Sequence, residues 1–196
     1  MNQLMSQSGI QSVNQSGSNP APLRIAILGA ESSGKSTLAE ALAKYYQCVW
    51  VAEYLREFVQ TTQRVPQEHE QILIAKMQIE REELALTQTQ RFLFCDTTPV
   101  MTEIYSRYCF GRPDLAVRAL AHSHTYDLTL VTAPDTPWVA DGIQRVSDQV
   151  RQDIHLEVLR TLDAMGVRYS LITGSVAERL GQVIALLEAS PHYECT

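Results

Sequence analysis

The stretch that most constrains this chain is G-A-E-S-S-G-K-S at residues 29–36, followed by Thr37. It fits G-x-x-x-x-G-K-[ST], the loop that holds the phosphates of nucleoside triphosphates. An apolar run of strand length, residues 23–28, precedes the loop, and residues 37–46 carry apolar side chains at helical spacing. Strand, glycine-rich turn and helix is the order in which this motif works, so the sequence predicts a phosphate-binding loop.

The residue types of the loop suit an anionic ligand. Gly29 and Gly34 permit backbone conformations that a Cβ disfavours, so that successive N–H groups can surround a phosphate at the start of a helix. Lys35 is expected to reach the β- and γ-phosphates of ATP and to be solvated without nucleotide, and the Ser36 hydroxyl is expected to bind Mg²⁺. The alternative is a Gly/Ser turn with a surface lysine. The other residues predicted to line the ATP site are Glu31, Ser32, Ser33 and Thr37.

Glu31 is the unexpected member of this loop. A carboxylate inside an anion-binding cradle is electrostatically unfavourable. We therefore expect Glu31 to point outward and to hydrogen-bond a neighbouring loop.

Length and composition predict one folded domain behind a short tail. The chain has 196 residues, of which 45% are hydrophobic, enough for one domain with a full core. Residues 1–22 are rich in Ser, Gln, Asn and Gly and cannot bury enough apolar surface to offset their ordering entropy. We expect a disordered N-terminal tail over residues 1–22 and one folded domain over residues 23–190.

Net charge, hydropathy and cysteine spacing indicate which partners and which compartment the sequence favours. The net charge of −6 gives no basic footprint for nucleic acid. No apolar run reaches the ~18 residues of a membrane span, and the four scattered cysteines have no metal-ligand spacing, which is typical of reduced thiols in a cytoplasmic protein. The sequence does not decide whether the chain forms a homo-oligomer.

Hydrophobic patterning predicts five strands that alternate with helices. Such alternation is typical of a parallel sheet with right-handed crossovers, in which ligands bind beyond the carboxyl ends of the strands. The phosphate loop, Glu53, Asp96 and residues 134–145 all follow strand ends, so we expect them to share one crevice. The predicted strands are residues 23–28, 48–52, 91–96, 127–132 and 168–173.

The third strand ends on a carboxylate, Asp96. An apolar strand that closes on Asp after a phosphate loop is typical of the residue that orders Mg²⁺ or its water. The alternative role for Asp96 is the N-cap of a helix that begins near Thr97 or Thr98. Both roles are compatible with one another.

Four motifs taken together resemble the ribosylnicotinamide kinase domain of the NadR family. They are G-x-E-S-S-G-K-S-T, E-Y-x-R-E, C-D-T-T-P and P-D-x-P-W-V-x-D-G-x-x-R, and the similarity spans residues 23–187. The resemblance implies ATP-dependent phosphorylation of nicotinamide riboside at its 5′-hydroxyl to give nicotinamide mononucleotide. It also implies a P-loop kinase fold with strand order 2-3-1-4-5, helices on both faces and a lid.

The resemblance also implies roles for individual residues. Glu53 is a candidate to bind the ribose or to take the 5′-hydroxyl proton, or else it is a helix-start carboxylate. Arg145 and Arg151 resemble lid arginines that close on the transferring phosphate, although the family usually places its lid arginine one residue before Arg145. Solvated helix charges are the alternative for both. The predicted substrate contacts besides Glu53 and Asp96 are Tyr54, Arg56, Asp135, Trp138 and Asp141.

Several of these contacts have a second interpretation. Tyr54 is either a core residue or a base-stacking residue, and Arg56 pairs with Glu53, reaches phosphate or is a plain surface charge. Trp138 either stacks on the pyridinium cation of the substrate, since indole is the best cation–π partner, or anchors its loop. Asp141 with Gly142 is also typical of a simple turn.

Two other functions fit the same motifs. One is a kinase of another nucleoside or of a nucleoside monophosphate, for which Arg56, Arg107 and Arg112 are candidate phosphate ligands. The other is a nucleotide-sensing module without catalysis. The intact Lys35 and Asp96 argue against the second alternative.

Overall fold

A computed structural model describes residues 21–112, 114–137 and 147–189, so that Trp138, Asp141 and Arg145 lie outside the described part. Its centre is a parallel sheet of five strands in the order β2-β3-β1-β4-β5. This confirms the predicted α/β class and strand order. The strands are β1 Leu23–Leu28, β2 Trp50–Val51, β3 Phe92–Asp96, β4 Leu128–Thr132 and β5 Ser170–Ile172.

Helices cover both faces of the sheet. None of the described helices combines the length and apolar character that a membrane crossing requires. In chain order the helices are α1 Lys35–Tyr46, α2 Tyr54–Thr62, α3 Gln71–Leu86, α4 Pro99–Phe110, α5 Leu115–Ser123, α6 Asp148–Met165 and α7 Val176–Glu188, with a 3₁₀ turn at Glu68–Glu70 before α3.

The central strands are buried on both sides, which explains their almost continuous apolar sequence. On one face, Ile25 and Phe94 pack against Leu42 of α1 and Leu187 of α7. On the other face, Leu28 and its neighbours pack against α4, α5 and α6. The sheet is thus the middle of three layers.

Strand register brings the predicted site residues to one edge. Ile27 of β1 lies beside Asp96 of β3, and Leu28 lies beside Val131 of β4. The Thr97 N–H donates to the Ile27 carbonyl at 3.1 Å, which continues the pairing past the end of β3. The phosphate loop after β1 therefore faces the residues that follow β3 and β4.

Candidate active site

The phosphate loop depends on glycine at Gly29. Its φ is +146°, and a Cβ there would lie 2.7 Å from the Ser33 hydroxyl and 2.9 Å from the Thr132 carbonyl. The Ser33 hydroxyl donates to the Ala30 carbonyl at 2.7 Å, which closes the loop on itself. No side chain fits at Gly29 without moving backbone atoms.

Lys35 is buried in the loop that it serves. Its side chain donates from Nζ to the Ala30 carbonyl at 2.9 Å, and the residue is only 8% exposed. The expectation of a solvated lysine was wrong because the loop supplies an acceptor of its own. The ammonium group therefore lies inside the loop, where a phosphate would meet it.

Ser36 and Asp96 come together as a pair of oxygen ligands. The Ser36 hydroxyl donates to Asp96 Oδ2 at 2.5 Å, while Asp96 Oδ1 is buried without a partner in the described part of the chain. The N-cap of α4 is Thr98, whose hydroxyl accepts from the Val100 N–H at 3.3 Å, so the capping alternative does not fall on Asp96.

The Ser36 hydroxyl and the Asp96 carboxylate are suitable ligands for Mg²⁺. Magnesium favours oxygen ligands, and it is usually held by one or two protein groups together with substrate phosphates. The described residues contain no cluster of three His, Cys, Asp or Glu side chains that would form a complete metal cage. Ser36 and Asp96 would hold the ion beside the phosphate loop. The ion would give the buried Asp96 Oδ1 the partner that it lacks among the described residues.

Glu53 lies at the start of α2 and faces the same place. Its side chain is 17% exposed and makes no capping hydrogen bond, so it is not held as a helix cap. Burial raises the pKa of Glu53; Lys35 opposes this rise, Asp96 adds to it and Arg56 opposes it. A carboxyl group with a raised pKa is a better proton acceptor than an ordinary glutamate.

A cavity opens between Glu53 and the helices α3 and α4. Tyr105 lies in its wall and donates to Glu31 Oε2 at 2.7 Å. Glu31 thus bonds a helix rather than the neighbouring loop that we had expected. Burial, with Glu31 next in importance, raises the pKa of Tyr105 well above its ordinary value. The other lining residues include Gln71, Gln78, Thr97, Met101 and Thr102.

A second groove runs along the outside of the phosphate loop. It is lined by Arg56 together with Thr136 and Val176 and several loop residues. Arg56 is half-exposed and lies 3.8 Å from Glu53. Arg56 thus pairs with Glu53 and lines the groove beside the phosphate loop, and its contact with a phosphate stays a prediction.

Arg179 of α7 connects the phosphate loop to neighbouring segments through hydrogen bonds to backbone carbonyls. It is 2% exposed and donates to the carbonyls of Ser33, Ala133 (3.0 Å) and Gly174 (2.8 Å). It also pairs with Asp135. Nothing in the sequence marks Arg179, because an arginine on an amphipathic helix has no local feature that distinguishes it from a surface charge.

Asp135 is already engaged by protein groups. Besides Arg179, it accepts the Gly174 N–H at 2.7 Å. Burial acts to raise the pKa of Asp135, but the Gly174 N–H and Arg179 outweigh it and lower that pKa. Asp135 links the end of β4 to the start of α7, and its contact with substrate stays a prediction.

Arg151 lies at the start of α6 and is 4% exposed, so it is not a solvated helix charge. It donates to the Thr136 carbonyl at 2.8 Å and pairs with Asp148 at 2.6 Å. The Thr136 hydroxyl in turn donates to the Ser32 carbonyl at 2.6 Å. This chain of contacts joins α6 to the phosphate loop, and the lid role of Arg151 stays a prediction.

Tyr54 is the first residue of α2 and packs against α3. It contacts the small apolar cluster of Phe58, Val59 and Ile74. The guanidinium of Arg81 lies 4.5 Å from the centre of its ring. This position agrees with the core interpretation of Tyr54, and its role in substrate binding stays a prediction.

The fold and the site together define a P-loop domain: a strand, a glycine-rich loop that encloses a lysine, and a paired serine and aspartate at the end of a parallel sheet. Residues 24–179 match the protein family described as AAA domain, and the chain belongs to this family.

Among curated proteins, the chain is 31% identical over 144 residues to the trifunctional NAD biosynthesis/regulator protein NadR of Salmonella typhimurium. The match covers 69% of this chain and 35% of that protein, so the chain spans about a third of the length of this relative.

Two solved structures of NadR protein share the fold. One, in complex with NR, has a TM-score of 0.74 and 20% identity, and the match covers 86% of this chain and 51% of that chain. The other, in complex with NAD and AMP-PNP, has a TM-score of 0.70 and 18% identity, and the match covers 86% of this chain and 49% of that chain.

Proposed function

We propose that this chain is a nucleoside kinase of NAD metabolism, and specifically that it transfers the γ-phosphoryl group of ATP to the 5′-hydroxyl of nicotinamide riboside. The single observation that carries the proposal is the placement of Glu53. This partly buried carboxylate interacts electrostatically with Lys35 and Asp96 and also lines the small cavity beside α3 and α4. The solved NadR structures bind NR, the riboside, and AMP-PNP, an ATP analogue, which supports the same pair of ligands here.

The residues divide the chemistry between them. The loop N–H groups and Lys35 would bind the phosphates of ATP. Mg²⁺ would neutralise phosphate charge, held by Ser36 and Asp96. Glu53 would orient the 5′-hydroxyl of the acceptor and accept its proton as the oxygen attacks the γ-phosphorus. The bond between that phosphorus and the β,γ-bridging oxygen then breaks, and ADP leaves.

Two of the three arginines that a monophosphate acceptor could use are paired with glutamates. Arg107 donates to Glu157 at 2.6 Å, and Arg112 donates to Glu68 at 2.7 Å. Arg56 alone of the three lines the groove beside the phosphate loop. This arrangement favours a neutral hydroxyl acceptor over a phosphorylated one.

A coupled assay of ADP release over a panel of acceptors tests the proposal. The panel holds nicotinamide riboside, uridine, thymidine, adenosine and thymidine monophosphate, each with ATP and Mg²⁺. We expect the highest kcat/KM with nicotinamide riboside and loss of all transfer in Lys35→Ala. Turnover of thymidine or uridine with none of nicotinamide riboside would refute the proposed substrate, and no acceptor-dependent ADP release would favour the sensing module.

A further inference from the structure

The first N–H group of α2 is bound by a side chain from another helix. A helix leaves its first four N–H groups without partners of its own, and the side chain of the residue before it commonly accepts one of them. In α2 that residue is Glu53, whose carboxylate makes no capping hydrogen bond within the described part of the chain. The Tyr54 N–H donates instead to Gln78 Oε1 of α3 at 2.9 Å. Gln78 thus supplies an acceptor that the carboxylate of Glu53 does not.

Gln78 is itself fixed by buried neighbours. It is 2% exposed, and its Nε2 lies 3.5 Å from Glu82 Oε1, one turn further along α3. Glu82 is fully buried, accepts the Tyr126 hydroxyl at 3.2 Å and lies 3.0 Å from His124 Nε2. Because Tyr126 and His124 directly precede β4, these contacts connect the start of α2 to the sheet through α3.

A second set of contacts between α2 and α3 lies at the surface. Arg81 donates to both carboxylate oxygens of Glu57 at 2.8 Å, and the Glu57 side chain is exposed. Exposed ion pairs contribute little to stability. We therefore expect the buried hydrogen bond of Gln78, rather than this ion pair, to fix the first turn of α2.

We propose that Gln78 is a positioning residue that keeps the carboxylate of Glu53 free for the acceptor hydroxyl, an inference that rests on the proposed function. Gln78 and Glu53 line the same small cavity, so the amide that holds the helix start lies close to the carboxylate that it serves. Without Gln78, the carboxylate of Glu53 would be the adjacent acceptor for the free N–H groups of α2. Capping them would turn this carboxylate away from the acceptor hydroxyl.

The test compares Gln78→Met with wild-type protein in two measurements. Met has nearly the length of Gln, but its thioether is only a weak hydrogen-bond acceptor. The kcat for nicotinamide riboside should fall at least about tenfold, because a small misplacement of a catalytic group is costly. The KM for ATP should not change, since the phosphate loop is intact.

The second measurement is a ¹³C NMR titration of the Glu53 carboxylate. In Gln78→Met the pKa of Glu53 should lie below its wild-type value, because capping hydrogen bonds favour the ionised form. The charged groups that act on Glu53, namely Lys35, Asp96 and Arg56, are the same in both proteins. A purely structural role of Gln78 would lower the melting temperature and leave this titration unchanged.

Two variants control for the loss of an amide and for the docking of α2. Gln60→Met removes an exposed amide of α2, and Arg81→Met removes the ion pair with Glu57 but retains Gln78. Both should keep the wild-type kcat and the wild-type titration of Glu53. If Arg81→Met lowers kcat as far as Gln78→Met does, general docking of α2 explains the effect and the inference is wrong.

The outcomes separate this inference from the proposed function. If wild-type protein phosphorylates nicotinamide riboside but the Glu53 titration is the same in Gln78→Met, the inference is wrong, whatever the change in kcat, and the kinase proposal stands. If wild-type protein phosphorylates no nucleoside, the proposed function fails and the inference fails with it. If Gln78→Met does not fold, Gln78→Asn, which is shorter by one methylene and withdraws the acceptor from the Tyr54 N–H, takes its place with the same expectations.

Discussion

At the residue scale, the two carboxylate oxygens of Asp96 have different surroundings: Oδ2 bonds Ser36, and Oδ1 is buried without a partner in the described structure. If Oδ1 serves Mg²⁺, Asp96→Asn should lower kcat at least about tenfold. It should also raise the Mg²⁺ concentration needed for half-maximal rate. A magnesium titration of initial rates measures both effects.

Thr98→Ala is the matched control, because Thr98 caps α4 two residues away. It should lower the free energy of unfolding by about 1 kcal/mol and leave the Mg²⁺ dependence unchanged. A normal Mg²⁺ dependence in Asp96→Asn, with only a lower melting temperature, would assign Asp96 a structural role.

The raised pKa of Glu53 predicts how catalytic activity depends on pH. Burial raises its pKa above the usual value of 4.5, and it can accept a proton only when ionised. The acidic limb of kcat/KM should therefore lie at a higher pH than that of an ordinary glutamate, and Glu53→Gln should abolish most turnover. A pH–rate profile with the limb at the usual glutamate value would contradict this assignment.

The raised pKa of Glu53 also makes the folding stability depend on pH. The unfolded chain ionises Glu53 at a lower pH than the folded chain does, so folding stability falls as pH rises through the folded pKa of Glu53. Glu53→Gln removes this loss. Its melting temperature, relative to wild type, should rise as pH increases from about 4 to 8.

At the scale of elements, we expect the two candidate lid arginines to have different roles. Arg151 is buried and tied to Thr136, whereas Arg145 belongs to the segment outside the described residues. Arg145→Ala should lower kcat by roughly 10³-fold at nearly constant melting temperature if it contacts the transferring phosphate. Arg151→Ala should lower both kcat and the melting temperature.

Paired measurements of kcat, ATP affinity and thermal unfolding on the two variants distinguish these roles. ATP affinity should change less than kcat in both, since the contact is made in the transition state. If both variants stay within about threefold of wild-type kcat, the assignment of Arg145 and Arg151 as lid arginines is wrong.

The sequence predicted the elements that depend only on residues close to one another in the chain. The phosphate loop, its strand and its helix follow from one motif, and the helical pattern over residues 37–46 is observed as α1, Lys35–Tyr46. The sequence left a helix start at Glu53 open but did not delimit α2, because its nine residues, Tyr54–Thr62, end in two threonines and bury only Phe58 and Val59. Such a short helix owes its stability to packing against α3 rather than to its own propensity.

At the scale of the whole molecule, the sheet order converts scattered residues into one crevice. The strand order followed from the family resemblance, and the convergence of the phosphate loop, Glu53 and Asp96 followed from the rule for ligands in parallel sheets. Arg179 did not follow, because its role depends on contacts with residues distant in sequence. Lys35 shows the same limit, since its burial depends on the closure of the loop.

The most direct test of the central claim is to identify the product by ³¹P NMR after incubation with ATP, Mg²⁺ and nicotinamide riboside. The account predicts a phosphomonoester coupled to the two 5′-methylene protons of the riboside, formed in equal amount with ADP and not formed by Lys35→Ala. Release of ADP and inorganic phosphate with the riboside unchanged would contradict it.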